Sequence, residues 1–330
     1  MDNQIWGAGL VLVAGLFNAA FALPMRYNRV WKWENTWLVF CVFSLLVFPW
    51  LLVSMLIRHP SGLLASLSLW DVAPALAFGF LWGIAQATFG VAIHLLGVSV
   101  TLPIVGALSI VLGSITPVLA ERPGDLVGRL GFVLLLSTVL LVTGLIQYGR
   151  AARKREPPSS EKRSSRGLFL ALLTGILGGA INIGFALSKG IMHHAESMGN
   201  SASVSTYAVW AVLLAAGFLP NLVYCFYLLR KNGTAQLFSS ASNSGDFLRS
   251  LLMAVSWILA TTSYGIATTF LGTYGTSVGY LSYGSCTILF ASVLGWKAGE
   301  WKDAPHDALR TFWTAMGMIL ASVAVLALAA

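Results

Sequence analysis

Residues 150–166 read RAARKREPPSSEKRSSR, and they divide the chain into two apolar blocks of nearly equal length. Seven of the twenty Lys and Arg residues fall inside this stretch, beside Pro157, Pro158 and several serines. It reads as a solvated linker whose positive charge fixes how the flanking blocks sit in a membrane. No aromatic residue interleaves with the basic ones, so the net charge of +8 carries no base-stacking signature and no nucleic-acid partner is expected.

Composition sets the class of the two blocks. The chain has 330 residues, 57 % of them hydrophobic and only 10 % charged, with a mean hydropathy of +0.79. Soluble domains carry about 25 % charged residues, so this sequence lacks the polar skin that faces water. The low charge excludes a disordered chain, and the lack of a short repeat excludes a collagen-like fibre. Cys41, Cys225 and Cys286 lie inside apolar runs and read as packing residues rather than a disulfide framework. The partner implied for most of this surface is the lipid bilayer.

A helix that crosses hydrocarbon needs about 20 mostly apolar residues. Ten runs qualify: 5–25, 37–57, 72–94, 99–120, 128–148, 167–189, 205–229, 250–271, 276–296 and 308–329. They are continuous and twice as long as the ~10-residue alternating segments of a membrane barrel. The expected fold is therefore an all-α membrane protein of ten transmembrane helices. The first run contains Gly and Asn and lacks a basic leader, so it reads as a retained span rather than a cleaved signal peptide.

Charge then orients the spans. The connections after spans 1, 3, 5, 7 and 9 hold sixteen Lys and Arg: Arg26, Arg29, Lys32, the seven of the linker, Arg230, Lys231, Arg249, Lys297, Lys302 and Arg310. The opposite side holds four: Arg58, Arg122, Arg129 and Lys189. This bias puts the linker in the cytoplasm and both termini outside it, in a multi-pass membrane protein.

A repeat is visible inside the pattern. Gly15-Leu-Phe-Asn18-Ala-Ala-Phe21-Ala22-Leu23 matches Gly179-Ala-Ile-Asn182-Ile-Gly-Phe185-Ala186-Leu187 at five of nine positions, in the first span of each half. With five spans per half, the second copy enters the membrane from the opposite side, as a 5+5 inverted-topology repeat. The expected organisation is a first repeat over 1–149, a basic cytoplasmic linker over 150–166 and a second repeat over 167–330. The alternative is coincidence between two apolar segments.

Polar residues at membrane depth are expensive and therefore informative. The amides are Asn18, Gln86, Asn182 and Asn221. An uncharged amide offers two donors and an acceptor, which suits hydroxyl groups. The repeat would bring Asn18 and Asn182 to a shared midplane cavity; any one amide reads equally as a bridge between helices, worth ~0.6 kcal/mol. Among the aromatics, Trp6, Trp31, Trp33, Trp37, Trp50, Trp70, Trp296 and Trp301 lie near span ends and read as an interfacial belt. Trp82, Trp257, Tyr264, Tyr280 and Tyr283 lie deeper, as core packing or as flat surfaces for the C–H face of a sugar.

Close helix contacts are expected at Gly79-x-x-x-Gly83, Gly175-x-x-x-Gly179 and Gly275-x-x-x-Gly279. Pro103 and Pro117 in span 4 are placed to kink it or free carbonyls towards a cavity. Spans 8 and 9, rich in Thr, Ser, Tyr and Gly, are expected to line that cavity.

Enzyme-like strings are poorly supported. Gly275-Thr-Ser277-Val-Gly279 lacks the strand-to-helix setting of a nucleophile elbow, and His193-His194-x-Glu196 reads as a solvated loop rather than a metal site. Asn232-Gly-Thr234 spells a glycosylation sequon on the cytoplasmic side. A membrane-embedded lipid-modifying enzyme would need paired acids, His or metal ligands in the spans, and a receptor or scaffold would not need polar residues in matched spans. No catalytic residue, metal or bound cofactor is expected.

Longer motifs carry a family resemblance. Ten spans as five plus five resemble the drug/metabolite transporter superfamily. Pro24-Met-Arg26-Tyr-Asn-Arg29-Val-Trp31-Lys32-Trp33-Glu34-Asn-Thr-Trp37 resembles the first cytoplasmic loop of L-rhamnose–proton symporters. Trp82-Gly83-Ile84, Gly90 and Leu96-Gly97-x-Ser99 resemble their third span and its turn into the fourth. Asn221-Leu-Val-Tyr-Cys-Phe226 resembles their seventh span, and Val293-Leu294-Gly295-Trp296-x3-Glu300-Trp301 the end of the ninth. The chain departs from the family pattern at Ala85-Gln86-Ala87-Thr88-Phe89 and at Ala260-Thr261-Thr262-Ser263 after Trp257, positions expected to face the ligand.

The resemblance implies a proton-coupled importer of a small neutral sugar, L-rhamnose or a related deoxyhexose, working by alternating access; an exporter or facilitator of another metabolite is the alternative. Asn18, Gln86, Asn182, Asn221, Trp257 and Tyr264 are the candidate substrate contacts. None of the twelve acids lies at mid-span, so a coupling proton is expected at a span end. Lys189, paired with Glu121, and His94 are the candidates there; the alternative for Lys189, and the favoured one, is a snorkelling anchor.

Overall fold

The computed structural model describes residues 2–155, 164–239 and 244–327. Residues 156–163 of the basic linker lie outside these. Ten helices are long and apolar enough to cross a membrane: span 1, Asn3–Tyr27; span 2, Trp33–Leu56; span 3, Leu69–Leu96; span 4, Val98–Glu121; span 5, Arg129–Arg155; span 6, Ser165–Ser197; span 7, Ala202–Asn232; span 8, Ser244–Tyr274; span 9, Val278–Lys297; and span 10, His306–Leu326. The described residues contain no strand.

Local chemistry sets the ends. Ser68 and Asp71 form a capping box at the start of span 3, with the Ser68 N–H donating to Asp71 Oδ2 at 2.8 Å, so two orphan donors are satisfied reciprocally. Gly233 closes span 7 at φ +65°, a left-handed conformation that suits glycine. Pro49 has no N–H for the Leu45 carbonyl, and span 2 takes a π-helical turn at Val42–Val47 immediately before it.

Span 6 differs most from expectation. It is jointed into Ser165–Gly178, Ala180–Leu187 and Lys189–Ser197. The His193-His194 segment is thus helix rather than loop, and His194 Nε2 lies 3.5 Å from Asp71 at the start of span 3. The aromatic belt also needs correction at two positions. Trp31 is 6 % exposed and donates to the Leu237 carbonyl, while Trp301 is 3 % exposed under the Arg155 guanidinium. Each is tucked under a connection by a polar or cationic partner instead of facing headgroups.

Two walls flank the centre of the bundle. Span 1 packs on spans 8 and 9, and span 6 packs on spans 3 and 4. Spans 3 and 7 form a further pair, as do spans 2 and 8; span 5 packs on span 10, span 4 on span 5, and span 9 on span 10. Spans 2 and 7, and spans 4 and 9, join the walls.

The glycine pairs explain how closely the pairs approach. A Cβ on Gly79 would stand 2.1 Å from the Leu213 carbonyl oxygen, and one on Gly83 2.4 Å from that of Gly217. Gly175 and Gly179 seat span 6 on Leu108, Ser109 and Gly113 of span 4. The third motif is local: Gly275 packs on the Thr268 backbone in the turn before span 9.

At the linker end, buried acids fasten the connections. Asp246, 1 % exposed, accepts from the N–H groups of Arg29, Val30 and Trp31 at 3.0, 2.7 and 2.8 Å and pairs with Arg249 at 2.6 Å. Glu34 accepts from Asn232 and Thr234 at 2.8 and 2.7 Å, so the sequon side chains tie span 7 to span 2.

Gly83→Val should lower folding stability in detergent by about 3 kcal/mol, because neither backbone can retreat without unpacking the pair. Gly90→Ala, which meets nothing within 4 Å, should leave the thermal midpoint unchanged. Equal midpoints for the two variants would show that the close approach does not hold the pair together.

Candidate functional site

A cavity of about 350 Å³ lies between the two walls. Span 1 gives it Asn18, span 3 Phe89, span 4 Leu102 to Ile110, span 5 Leu145 and Tyr148, and span 9 the face that runs from Tyr280 through Tyr283 and Thr287 to Ser292. It extends from mid-span tyrosines towards the linker end of spans 4, 5 and 9. The described lining holds an amide, hydroxyls and phenols but no Asp, Glu, His, Lys or Arg. Asn18 Nδ2 donates to Thr287 Oγ1 at 3.3 Å, leaving its carbonyl oxygen and second N–H directed to no described side chain.

Three tyrosines form the inner end. Tyr283 stacks on Tyr264 with centroids 5.0 Å apart and planes at 25°, and Tyr280 meets Tyr264 edge-on at 5.7 Å. Tyr264 itself is 2 % exposed and lies behind the other two. Its hydroxyl donates to Asn182 Oδ1 at 2.5 Å.

Asn182 is fully buried, with both of its N–H donors and its carbonyl oxygen engaged. Its Nδ2 donates to the Gly113 carbonyl at 2.8 Å and to the Thr276 carbonyl at 2.6 Å. Gly113 stands four residues before Pro117, which has no N–H to close the helical bond. Asn182 therefore supplies the donor that Pro117 withholds, where hydrocarbon offers no water to do so. Span 4 does free a carbonyl, as its prolines imply, but the carbonyl meets the amide and not the cavity.

The other expected contacts divide. Asn221 accepts from Trp37 Nε1 at 3.0 Å and donates to the Gly217 carbonyl at 2.9 Å, a helix bridge away from the cavity lining. Trp257 stacks on Trp82 at 5.7 Å and meets Phe40 edge-on, within the core between spans 2, 3 and 8. Gln86 is half-buried on span 3, one turn from Trp82 and one turn from Phe89. The structure thus brings only Asn18 into the cavity wall, with Tyr264 and Asn182 as its backing.

At the far rim, Lys189 Nζ lies 2.6 Å from Glu121 Oε2, joining spans 6 and 4. Lys189 is well exposed and Glu121 less so, at 69 % and 28 % of their side-chain surfaces. His94 is exposed at the linker end of span 3, the opposite end from this pair.

Sequence reasoning missed Thr287, Ser109, Tyr148 and Ser292 as lining, and Trp210 as backing. A signal existed for span 9: Tyr280, Tyr283, Thr287 and Ala291 recur at helical spacing along one face. Trp210 is 2 % exposed and stacks on Phe185 at 4.4 Å, behind Tyr264; nothing in its local sequence marks it.

A model of the family described as L-rhamnose-proton symport protein (RhaT) matches residues 1–330. Curated relatives named L-rhamnose-proton symporter include one from Cronobacter sakazakii, 26 % identical over 316 residues, and one from Citrobacter koseri, 25 % identical over 318 residues. A third, from Escherichia coli O1:K1, is 24 % identical over 318 residues. Each alignment covers 92 % of this chain and 92 % of the relative.

The two kinds of amide should separate by stability. Asn221→Ala leaves the Trp37 indole N–H without its acceptor in the core and should cost about 1–2 kcal/mol of thermal stability. Asn18→Ala loses one half-exposed bond and should cost less than ~0.5 kcal/mol of thermal stability. The comparison is read by thermal unfolding in one detergent, and a larger loss for Asn18→Ala would reverse the assignment.

Proposed function

The chain belongs to the L-rhamnose-proton symport protein family, and on that premise we propose that it imports L-rhamnose or a related 6-deoxyhexose with a proton by alternating access. It is a multi-pass membrane protein of a family of transporters rather than enzymes. The observation that carries the substrate reading is a cavity of about 350 Å³ whose described lining has hydroxyl partners and aromatic faces but no charged side chain. That volume lies within the ~300–1,000 Å³ of small-molecule sites.

Asn18 and Thr287 supply hydroxyl partners, and the faces of Tyr280 and Tyr283 suit the C–H face of a pyranose. Leu102, Val105, Ile110 and Ile288 give an apolar wall for the methyl group that distinguishes a 6-deoxyhexose. A hydroxymethyl sugar would set an extra hydroxyl against that wall and lose a water partner for it.

The inverted repeat is supported by the contacts of the two matched spans. Gly15 packs on Cys286 of span 9 and Asn18 donates to the same span; Gly179 packs on Gly113 of span 4 and Asn182 donates to the same span. Walls related in this way exchange roles when the cavity opens to the other side. The linker then lies in the cytoplasm, both termini lie outside it, and the membrane is the inner one, as the Lys and Arg bias argues.

Coupling has no acid in the described cavity lining to use, so the proton is assigned to the far rim. The Lys189–Glu121 pair joins spans 6 and 4 there, so making and breaking it biases the two spans at the point where they meet.

Proteoliposomes containing the purified chain should accumulate labelled L-rhamnose when a proton gradient is imposed. Asn18→Ala should raise KM about tenfold by removing an amide that binds hydroxyls. Lys189→Ala should abolish gradient-driven accumulation while keeping downhill exchange. No uptake across a panel of deoxyhexoses would end the substrate reading, and unchanged gradient-driven accumulation in Lys189→Ala would return that residue to an anchoring role.

A further inference from the structure

The end of the bundle away from the linker is closed, and one side chain joins the pieces that close it. Spans 4 and 6 belong to one wall, while spans 1, 8 and 9 belong to the other. Asn182, on the middle piece of span 6, donates within its own wall to the Gly113 carbonyl. Its other two bonds cross between walls, to the Thr276 carbonyl in the turn between spans 8 and 9 and from the Tyr264 hydroxyl of span 8. Tyr280 presses on span 4 at the same level, where a Cβ on Gly113 would stand 2.4 Å from its ring.

Beyond this layer the space nearly vanishes. The cleft lined by Pro117, Glu121, Arg122, Thr276 and Ser277 has a volume of about 10 Å³, roughly the room for a single water. On the linker side, where the walls part around the cavity, the matched amide behaves differently. Among the described residues Asn18 bonds to Thr287, inside its own wall. The amide that crosses between walls marks the closed end, and the amide that does not marks the open one.

We propose that Asn182 is the latch of the closure away from the linker, and that its two bonds across the walls must break for the cavity to open on that side. This deepens the alternating-access reading and rests on it for the claim that the latch cycles. Asn182 is thereby a positioning residue and not a sugar ligand. Its hinge is available: span 6 is jointed at Gly179 and again at Ser188, on either side of the amide. Breaking the latch does not strand the Gly113 carbonyl, because the bond within the wall can persist while the other two open.

The test is thiol accessibility in the purified full chain in detergent, with no sugar present. Ser277 is 1 % exposed beyond the latch, so Ser277→Cys places a reporter that a bulky polar maleimide reaches only when the closure opens. Cys41, Cys225 and Cys286 are buried, and the chain without Ser277→Cys supplies their background rate. Adding Asn182→Ala should accelerate labelling at least about tenfold, since removing the amide leaves the closed state with a buried carbonyl unpaired. Tyr264→Phe removes one bond and keeps the ring, so it should accelerate labelling about threefold. It also decides the matter if Asn182→Ala fails to fold.

Unchanged labelling in folded Tyr264→Phe and Asn182→Ala proteins would overturn the latch. So would unchanged labelling together with a tenfold loss of L-rhamnose affinity in Asn182→Ala, which would make the amide a ligand. A chain that labels as expected yet binds no deoxyhexose would overturn the substrate reading alone.

Discussion

Within hydrocarbon a carbonyl without a donor has no water to turn to, and Pro117 creates one such carbonyl at Gly113. The surrounding architecture answers that constraint. Span 6 carries Asn182 to the freed oxygen, and it reaches it because Gly179 lets the two helices close on Gly113 and Ser109. Once an amide stands there, its second N–H and its oxygen need partners too, and these come from the opposite wall at Thr276 and Tyr264. A defect in one helix is thus resolved by contacts among spans 4, 6 and 8 and the turn into span 9. Asn221 and Glu34 follow the same rule at other depths: Asn221 accepts from Trp37 of span 2 and donates to Gly217, and Glu34 accepts from Asn232 and Thr234 at the end of span 7.

The placement of small residues decides which helices act together. Spans 3 and 7 meet backbone to backbone at Gly79 and Gly83. Packing of this kind leaves little room for independent motion within the pair. The cavity instead lies where larger side chains from spans 4 and 9 face each other across open space, so volume appears between walls rather than inside them. Spans 5 and 10 pack on each other along the side of the bundle and contribute Leu145 and Tyr148 to the lining.

Much of this was legible in the sequence. Hydropathy marked ten spans, because each must be apolar over the full hydrocarbon thickness. The paired motifs around Asn18 and Asn182 marked the two spans that matter most to the centre. What local pattern does not encode is which of two similar amides has its bonding capacity filled. Asn18 and Asn182 sit in matched sequence, yet one lines the cavity and the other is held by three bonds away from it, since the difference lies in Thr276, Tyr264 and a proline on another span. Asn221 is similar, for its acceptor role depends on Trp37, 184 positions away. Span 6 ran longer than expected because Lys189–Ser197 is too polar to register as membrane-like and still folds as helix. Trp31 and Trp301 looked interfacial by position, and only the folded connections cover them.

The uncharged lining of the cavity has an electrical consequence. Each elementary charge moved through the full membrane potential exchanges about 2.3 kcal/mol per 100 mV. In the proposed cycle, a cavity whose described lining is Asn18, Thr287, tyrosines and apolar residues carries no such charge when it turns with a neutral sugar from one face to the other. On that proposal voltage has no grip on the reorientation of the empty or sugar-filled centre, and the work it does on the cycle falls on the proton and on rim groups such as Glu121 and Lys189.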